Sequence, residues 1–443
     1  MQKKENKTEH IRRTLDAAVE FVIKQKEQFV QNPDKDFTRN RKISMKDTIN
    51  LILSMEGGSL NREMYNYAKS SGINITAAAF VQQRSKISYS AFQTLFRLFN
   101  ENCVDNKTYR GYHLIAVDGT DINLYRNPTA DTYVINSSCP QGYNQIHLNA
   151  LYDLCNKTYI DIEPQPKPQV NEHKAVITML HRKKYPHNSI LIADRGYESF
   201  NTIAHFLTCQ TPFLLRIRGG FGAMAEVKKL PMTTLDRNIT IEVATSQTKE
   251  DKEHGRRFIQ TGSKKGKANS KKTRMQQWDF PSPYTLQFRI VRFLLDTGEY
   301  ETIATSLPQN EFPLEEIKKL YHMRWGIETS FRELKYNIGL VNLHCKKEDF
   351  VRQELYAALI MYNFCSRIAN AANITPNIRK KYQAKLNFSM AVYMCRKYFK
   401  QLISVSALLK DLLSYMEPIR PGRQDKRNLT SKRFVGFSYR VAA

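Results

Sequence analysis

The chain has 443 residues, of which 41% are hydrophobic and 11% aromatic, enough for two or three domains with real cores. Its 68 Lys and Arg against 42 Asp and Glu leave a formal charge of +26, which points to a polyanionic partner, nucleic acid first and an anionic membrane surface second. No apolar run has the length of a membrane span, the start "MQKKENKTEHIRR" lacks the apolar core of a secretion signal, and seven scattered cysteines form no CxxC pair; a soluble cytoplasmic protein is expected, without a disulfide framework, a zinc module or a membrane partner.

Helical periodicity runs over 11–30, 45–56, 60–71 and 76–100, interrupted by "NPDKDFTRN", "GG" and "SGINIT". An all-helical region over 1–108 is expected. The segments "SMKDTINLILSM", "SLNREMYNYAKSSG" and "TAAAFVQQRSKISYSAFQTLFRLF" fit either a helix-turn-helix array that grips DNA or a helical bundle with a basic surface, and spacing alone does not choose between them.

The pattern then changes to strands. "YHLIAVDGT" ends an apolar run on Asp118; "YNQIHLNALYDL" and "KTYIDIEP" read as a hairpin turning at Cys155 and Asn156. A helix over "VNEHKAVITMLHRKKY" follows, and "SILIADRGY" ends a second apolar run on Asp194. Strands that stop on an acidic residue place that carboxylate at the carboxyl end of a sheet, where open α/β sheets usually carry their chemistry. The expected fold class is α/β (α+β multidomain), with residues 109–200 forming the first part of a core.

Residues 201–312 read as a β-rich insertion built from "PFLLRIR", "ITIEVATS", "LQFRIVRFLL" and "YETIATS". Within it the stretch 256–277, with Lys264 and Lys265, is a basic loop suited to phosphates. Pro313 suits the first turn of a long helix, which opens the second part of the core over 313–415; a basic tail occupies 416–443.

Along that long helix, "YHMRWGIETSFRELK" carries a polar stripe. At about 100° per residue and with Glu328 at zero, Tyr321, Arg324 and Lys335 all fall within roughly 40° of it, beside an aliphatic stripe that includes Ile327, Phe331 and Leu334. Such a helix forms one wall of a cleft, although Arg324 and Glu328 alone would also suit a surface i,i+4 pair. Asp118 could equally cap a turn, with Asp121 its rival, and Asp194 could pair with Arg195. Taken jointly, three acidic residues without His or Cys suit a hard, oxygen-seeking ion, Mg²⁺ or Mn²⁺. Two such ions per site serve in-line phosphoryl displacement.

"IAVDGT", "IADRGY" and the Tyr, Arg, Glu and Lys spacing of residues 321–335 together resemble the insertion sequence 4 family of DDE transposases. Its signature of Tyr, two residues, Arg, three residues, Glu, six residues, Lys is met by Tyr321, Arg324, Glu328 and Lys335. The resemblance implies a ribonuclease-H-like catalytic core interrupted by the β-rich insertion. It further implies catalytic, metal-binding Asp118, Asp194 and Glu328, and DNA-holding Tyr321, Arg324 and Lys335. Arg332, Lys264 and Lys265 are further DNA-contact candidates.

Members of that family excise an element through a hairpin at its ends and paste it into target DNA, as a dimer in a synaptic complex. Double-stranded DNA, as terminal inverted repeats and target, is therefore the expected partner. A family tryptophan that receives a flipped base has two candidate counterparts here, Trp278 and Tyr300. Two alternatives stand beside this reading: a ribonuclease-H-like nuclease or resolvase without strand transfer, and a non-catalytic DNA-binding regulator of transposition.

Overall fold

A computed structural model describes residues 2–104, 106–137, 139–219, 224–261, 276–372 and 384–419. Residues 262–275, with Lys264 and Lys265, and residues 420–443 of the basic tail lie outside the described residues.

Five helices open the chain: α1 (Gln2–Lys24), α2 (Met45–Ser54), α3 (Leu60–Ser71), α4 (Ala77–Arg84) and α5 (Tyr89–Asn102). Local chemistry sets most of their ends. Ser44, Ser59, Thr76 and Ser88 each accept a backbone N–H of the first turn, Ser44 in a capping box with Asp47, and Gly72 closes α3 in the left-handed conformation at φ 75°. The periodicity over 76–100 suggested one helix, but two form. Residues 86–87 leave the helical path to pair with residues 30–31, through the Val30–Ile87 bridge and Gln31 N–H donating to Lys86 O at 2.8 Å.

The central sheet contains β1 (His113–Leu124), β2 (Tyr133–Asn136), β3 (Cys139–Asp153), β4 (Thr158–Pro166), β5 (Ser189–Ala193) and β6 (Phe213–Ile217), with α6 (Glu172–Arg182) and α7 (Phe200–Thr208) between the later strands. It continues through β7 (Leu235–Ala244), β8 (Arg257–Phe258), β9 (Tyr284–Leu294) and β10 (Tyr300–Thr305), with the short α8 (Ala225–Lys228) and α9 (Lys249–Glu253) in between. The strand order is β2-β3-β1-β5-β6-β10-β9-β7-β8, with β4 also on β3; β1, β5 and β6 run parallel, while β3 is antiparallel to β1. The 201–312 segment therefore extends the same sheet, because β10 pairs with β6 over Thr302–Thr305.

After the sheet come α10 (Leu314–Met323), α11 (Trp325–Arg332), a π-helical turn (Glu333–Asn337), α12 (Glu348–Ala371), the short strand β11 (Ala384–Leu386), α13 (Phe388–Phe399), α14 (Val405–Ser414) and β12 (Met416–Pro418), which pairs with β11. The expected single long helix is thus broken at Arg324 and again at Glu333. Gly326 sits in the second piece for packing reasons: a Cβ there would lie 2.8 Å from Leu154 Cδ2.

Alternation along the parallel strands sends side chains to two faces. Ile115, Val117, Leu191 and Ala193 pack with Val176, Met179, Ile203 and Phe206 of α6 and α7, whereas Leu114, Ile190 and Ile192 pack with Ile317 and Leu320 of α10. The result is helix, sheet, helix in three layers. No described helix is long and apolar enough to cross a membrane.

Candidate active site

Parallel register brings the two aspartates side by side. β1 and β5 pair from His113–Ser189 to Val117–Ala193, so Asp118 and Asp194 are the next residue on each strand. β1 does not stop at Asp118, as the apolar run suggested; it continues to Leu124 because β3 pairs with it throughout. Asp118 shares its face with Leu114 and Ala116, the face covered by α10 and α11.

The helix break at Arg324 lets that residue turn into the sheet. Its guanidinium is only 3% exposed and lies 3.5 Å from Asp118 Oδ2 and 3.1 Å from Glu328 Oε1. One turn earlier, Tyr321 donates its hydroxyl to Asp194 Oδ1 at 3.0 Å. Lys335, carried by the π-helical turn, donates to Thr120 Oγ1 at 2.6 Å, two residues beyond Asp118. Six sequence-predicted residues thus gather from β1, the end of β5, α10 and the break after it, α11 and the π-helical turn. Arg332 is exposed at the last position of α11, away from this network.

Two residues that the sequence reading missed join them. Arg216 on β6 lies 3.8 Å from Asp194 Oδ1 and 3.0 Å from Glu301 Oε1 on β10. A signal existed in both cases: a charge interrupting the apolar run "PFLLRIR", and one near the start of "YETIATS". On the opposite face of β1, Asp121 accepts from His147 Nδ1 at 2.7 Å and Lys167 Nζ at 2.6 Å, and His147 Nε2 lies 3.2 Å from Glu172 Oε1. Asp121 is therefore engaged away from Asp118's partners.

The cluster is electrostatically tense. Burial pushes the Asp118 carboxyl up to about 6; the Gly119 N–H and Arg324 pull it down, while Glu328 and Asp194 push it further up. Burial likewise raises the Tyr321 hydroxyl and Glu301, and lowers Lys335. Burial opposes the charge on Arg324, yet Tyr321, Asp194, Asp118 and Glu328 outweigh it and raise its pKa.

Three carboxylates around a buried cation are the donor chemistry that a hard divalent ion requires. Two buried polar atoms nearby, Arg324 Nε and Tyr197 Oη, have no hydrogen-bond partner within the protein. The spacing is that of a guanidinium-bridged cluster: among the described residues no three acidic, His or Cys side chains stand close enough together to hold an ion. The residue types are those that a hard ion takes, but in this arrangement the Arg324 guanidinium already balances two of the carboxylates.

Of the two aromatic candidates, Trp278 lies in the segment before β9 and Tyr300 on β10. Trp278 packs in an aromatic cluster with Phe280 and Tyr284 at ring distances of 5.4 and 5.7 Å. Tyr300 opens β10, one residue before Glu301.

A mixed α/β sheet with acidic residues beside one another where the parallel pairing of β1 and β5 ends defines an α/β protein with a carboxylate-centred site. The family described as transposase DDE domain matches residues 109–364, more than half of the chain, and the chain belongs to that family. It is also similar to the transposase for insertion sequence element IS421 of Escherichia coli, at 30% identity over 66 residues, which are 15% of this chain and 18% of that protein. The chain therefore spans about a fifth of the length of the curated relatives it matches. Among solved structures, piggyBac transposase in a synaptic complex with hairpin DNA aligns over 94% of this chain and 84% of that one, at 11% identity and a TM-score of 0.45.

Proposed function

We propose that this protein is a DNA transposase of the insertion sequence 4 type, which excises an element and joins it to target DNA by phosphoryl transfer. The observation that carries the reading is the meeting of Asp118, Asp194 and Glu328 around Arg324 and Tyr321, in a chain that belongs to the transposase DDE domain family. A ribonuclease-H-like core is supported by parallel β1, β5 and β6 flanked by antiparallel β3 and then β4. On this reading the core spans 109–200 and 313–415, interrupted by the 201–312 insertion.

Asp118, Asp194 and Glu328 would hold two Mg²⁺ or Mn²⁺ ions. When bound, such ions acidify an attacking oxygen and stabilise the departing one. The chain's own groups do the positioning. Tyr321 fixes the orientation of Asp194, Arg324 holds Asp118 and Glu328 toward one another, and Lys335, anchored on Thr120, offers positive charge to a phosphate beside the scissile bond. The proton released by the attacking water or 3′-hydroxyl passes to solvent. Double-stranded DNA carrying the terminal repeats is the substrate, bound by a homodimer in a synaptic complex, in the cytoplasm.

The test compares wild type with Glu328→Ala and Asp194→Asn on supercoiled DNA carrying the element's ends, with Mg²⁺ or EDTA. Nicks, hairpins and joined ends from wild type with metal only are expected. Cleavage without joining would leave a nuclease, and end binding without either product would leave a regulator.

A further inference from the structure

The segment between α1 and α2 forms one side of a groove of about 290 Å³, with Gln83 and Lys86 on the other side. Lys35, Arg39 and Arg41 line it, and all three are exposed. The carboxylate in its lining is Asp34; the neighbouring Asp36 is turned inward, buried, and accepts Asn32 N–H at 2.9 Å. Among the described residues Lys35, Arg39 and Arg41 form no ion pair, unlike Arg12 with Asp16 and Arg97 with Glu101 in the same region.

This segment is also built to keep its place. Gln31 N–H donates to Lys86 O at 2.8 Å, Ser88 N–H donates to Phe29 O at 2.8 Å, and Thr38 Oγ1 donates to Lys35 O at 3.1 Å. Phe37 takes the left-handed conformation at φ 55°, which a bulky residue adopts at a cost, and its ring lies 5.5 Å from the Lys86 ammonium. Three exposed cations on an anchored loop that line one groove suit the phosphates of a nucleic-acid backbone.

We infer that this groove, formed by residues 34–41 with Gln83 and Lys86, seats the phosphate backbone of duplex DNA and positions it without reading its bases. The inference rests on the transposase reading and adds to it where the helical region grips. Contact through a loop and a helix–helix turn differs from a helix laid in the major groove, and it carries a distinct signature: binding that depends on salt but not on sequence.

The experiment uses the full chain in EDTA, with fluorescence anisotropy on an element-end duplex and on a scrambled duplex across a salt series. Lys35→Ala/Arg39→Ala/Arg41→Ala should make the slope of log affinity against log salt shallower by about 2–3 on both duplexes, since each phosphate contact contributes about 0.9. Lys35→Arg/Arg39→Lys/Arg41→Lys, which keeps the charge, should retain the wild-type slope. An unchanged slope in the alanine variant overturns the inference, as does a loss confined to the element-end duplex, or inorganic phosphate binding that the variant abolishes while DNA affinity stays as it was. If wild type shows no metal-dependent cleavage but the alanine variant loses slope, the transposase reading fails and the groove stands. The reverse pair of results sinks the groove and leaves the reading intact.

Discussion

At the scale of single residues, Asp118 shows how the site trades stability for charge. Its carboxyl is pushed up to about 6, first by burial and then by Glu328 and Asp194, against the pull of Gly119 N–H and Arg324. In an unfolded chain it would titrate near 3.9, so between about pH 4 and 6 the folded protein holds a proton that the unfolded one has released. Stability therefore falls as pH rises through that window, and the penalty stays in full above it. Asp118→Asn removes the penalty. In metal-free buffer the variant should be more stable than wild type by about 1–3 kcal/mol at pH 7, with the gap closing below about pH 4. Urea denaturation at the two pH values measures this; equal stability at pH 7 would mean that Arg324 already neutralises the carboxylate. Much of this cluster was legible beforehand because an acidic residue at the end of an apolar run stands out against its neighbours. Arg216 and Glu301 were harder to see. Their meeting depends on β10 returning to pair with β6 some 90 positions later, and no local pattern encodes that pairing.

Among the elements, β1 and β3 approach each other closely just past Asp118. A Cβ on Gly119 would lie 2.2 Å from His147 Nε2 and 2.8 Å from its Cε1, and the ring has little freedom to retreat, since Asp121 and Glu172 flank both nitrogens. Those two carboxylates outweigh the burial that opposes its charge and raise the His147 pKa to about 9, so at neutral pH an imidazolium supports the strand next to Asp118. Gly119→Ala should cost about 1–3 kcal/mol, the usual range for overpacking. Adding His147→Ala should return part of that loss by vacating the space, which thermal unfolding of the single and double variants would record. Additive losses would show that the strand, not the ring, sets the tolerance. The glycine of "VDGT" looked in sequence like part of a turn signal; its reason is a close approach between strands. Likewise Gly326, a poor helix former, lies where α11 packs on Leu154. A glycine's cause is visible only when the partner side chain is known, and both partners lie on other elements.

For the whole molecule, the two ends of the chain share one core. Leu15, Ile49, Phe92 and Phe99 from the opening helices belong to the same buried cluster as Leu359, Phe364, Cys395 and Leu412. A buried polar seam crosses this junction. Arg84 donates to Gln353 Oε1 at 2.7 Å, Glu354 Oε1 at 2.8 Å and Phe350 O at 2.7 Å, and Glu354 also accepts from His344 N–H at 2.8 Å. His344 in turn lies 3.7 Å from Glu63 on α3, so the loop that leaves the π-helical turn is tied to the opening helices from two sides. Arg84→Ala strands Glu354 in a buried place, and losing one partner of such a pair costs about 3–5 kcal/mol. Replacing both, as Arg84→Met/Glu354→Gln, should cost less than the single change. Because the core is shared, loss of helix by circular dichroism and the emission change of Trp325, at the start of α11, should coincide in urea for wild type. In Arg84→Ala the two curves should shift together to lower urea. If instead the helical signal were lost first while Trp325 held its native emission, residues 1–108 would be folding as a unit of their own, and the seam would be a contact between domains rather than part of one cooperative structure.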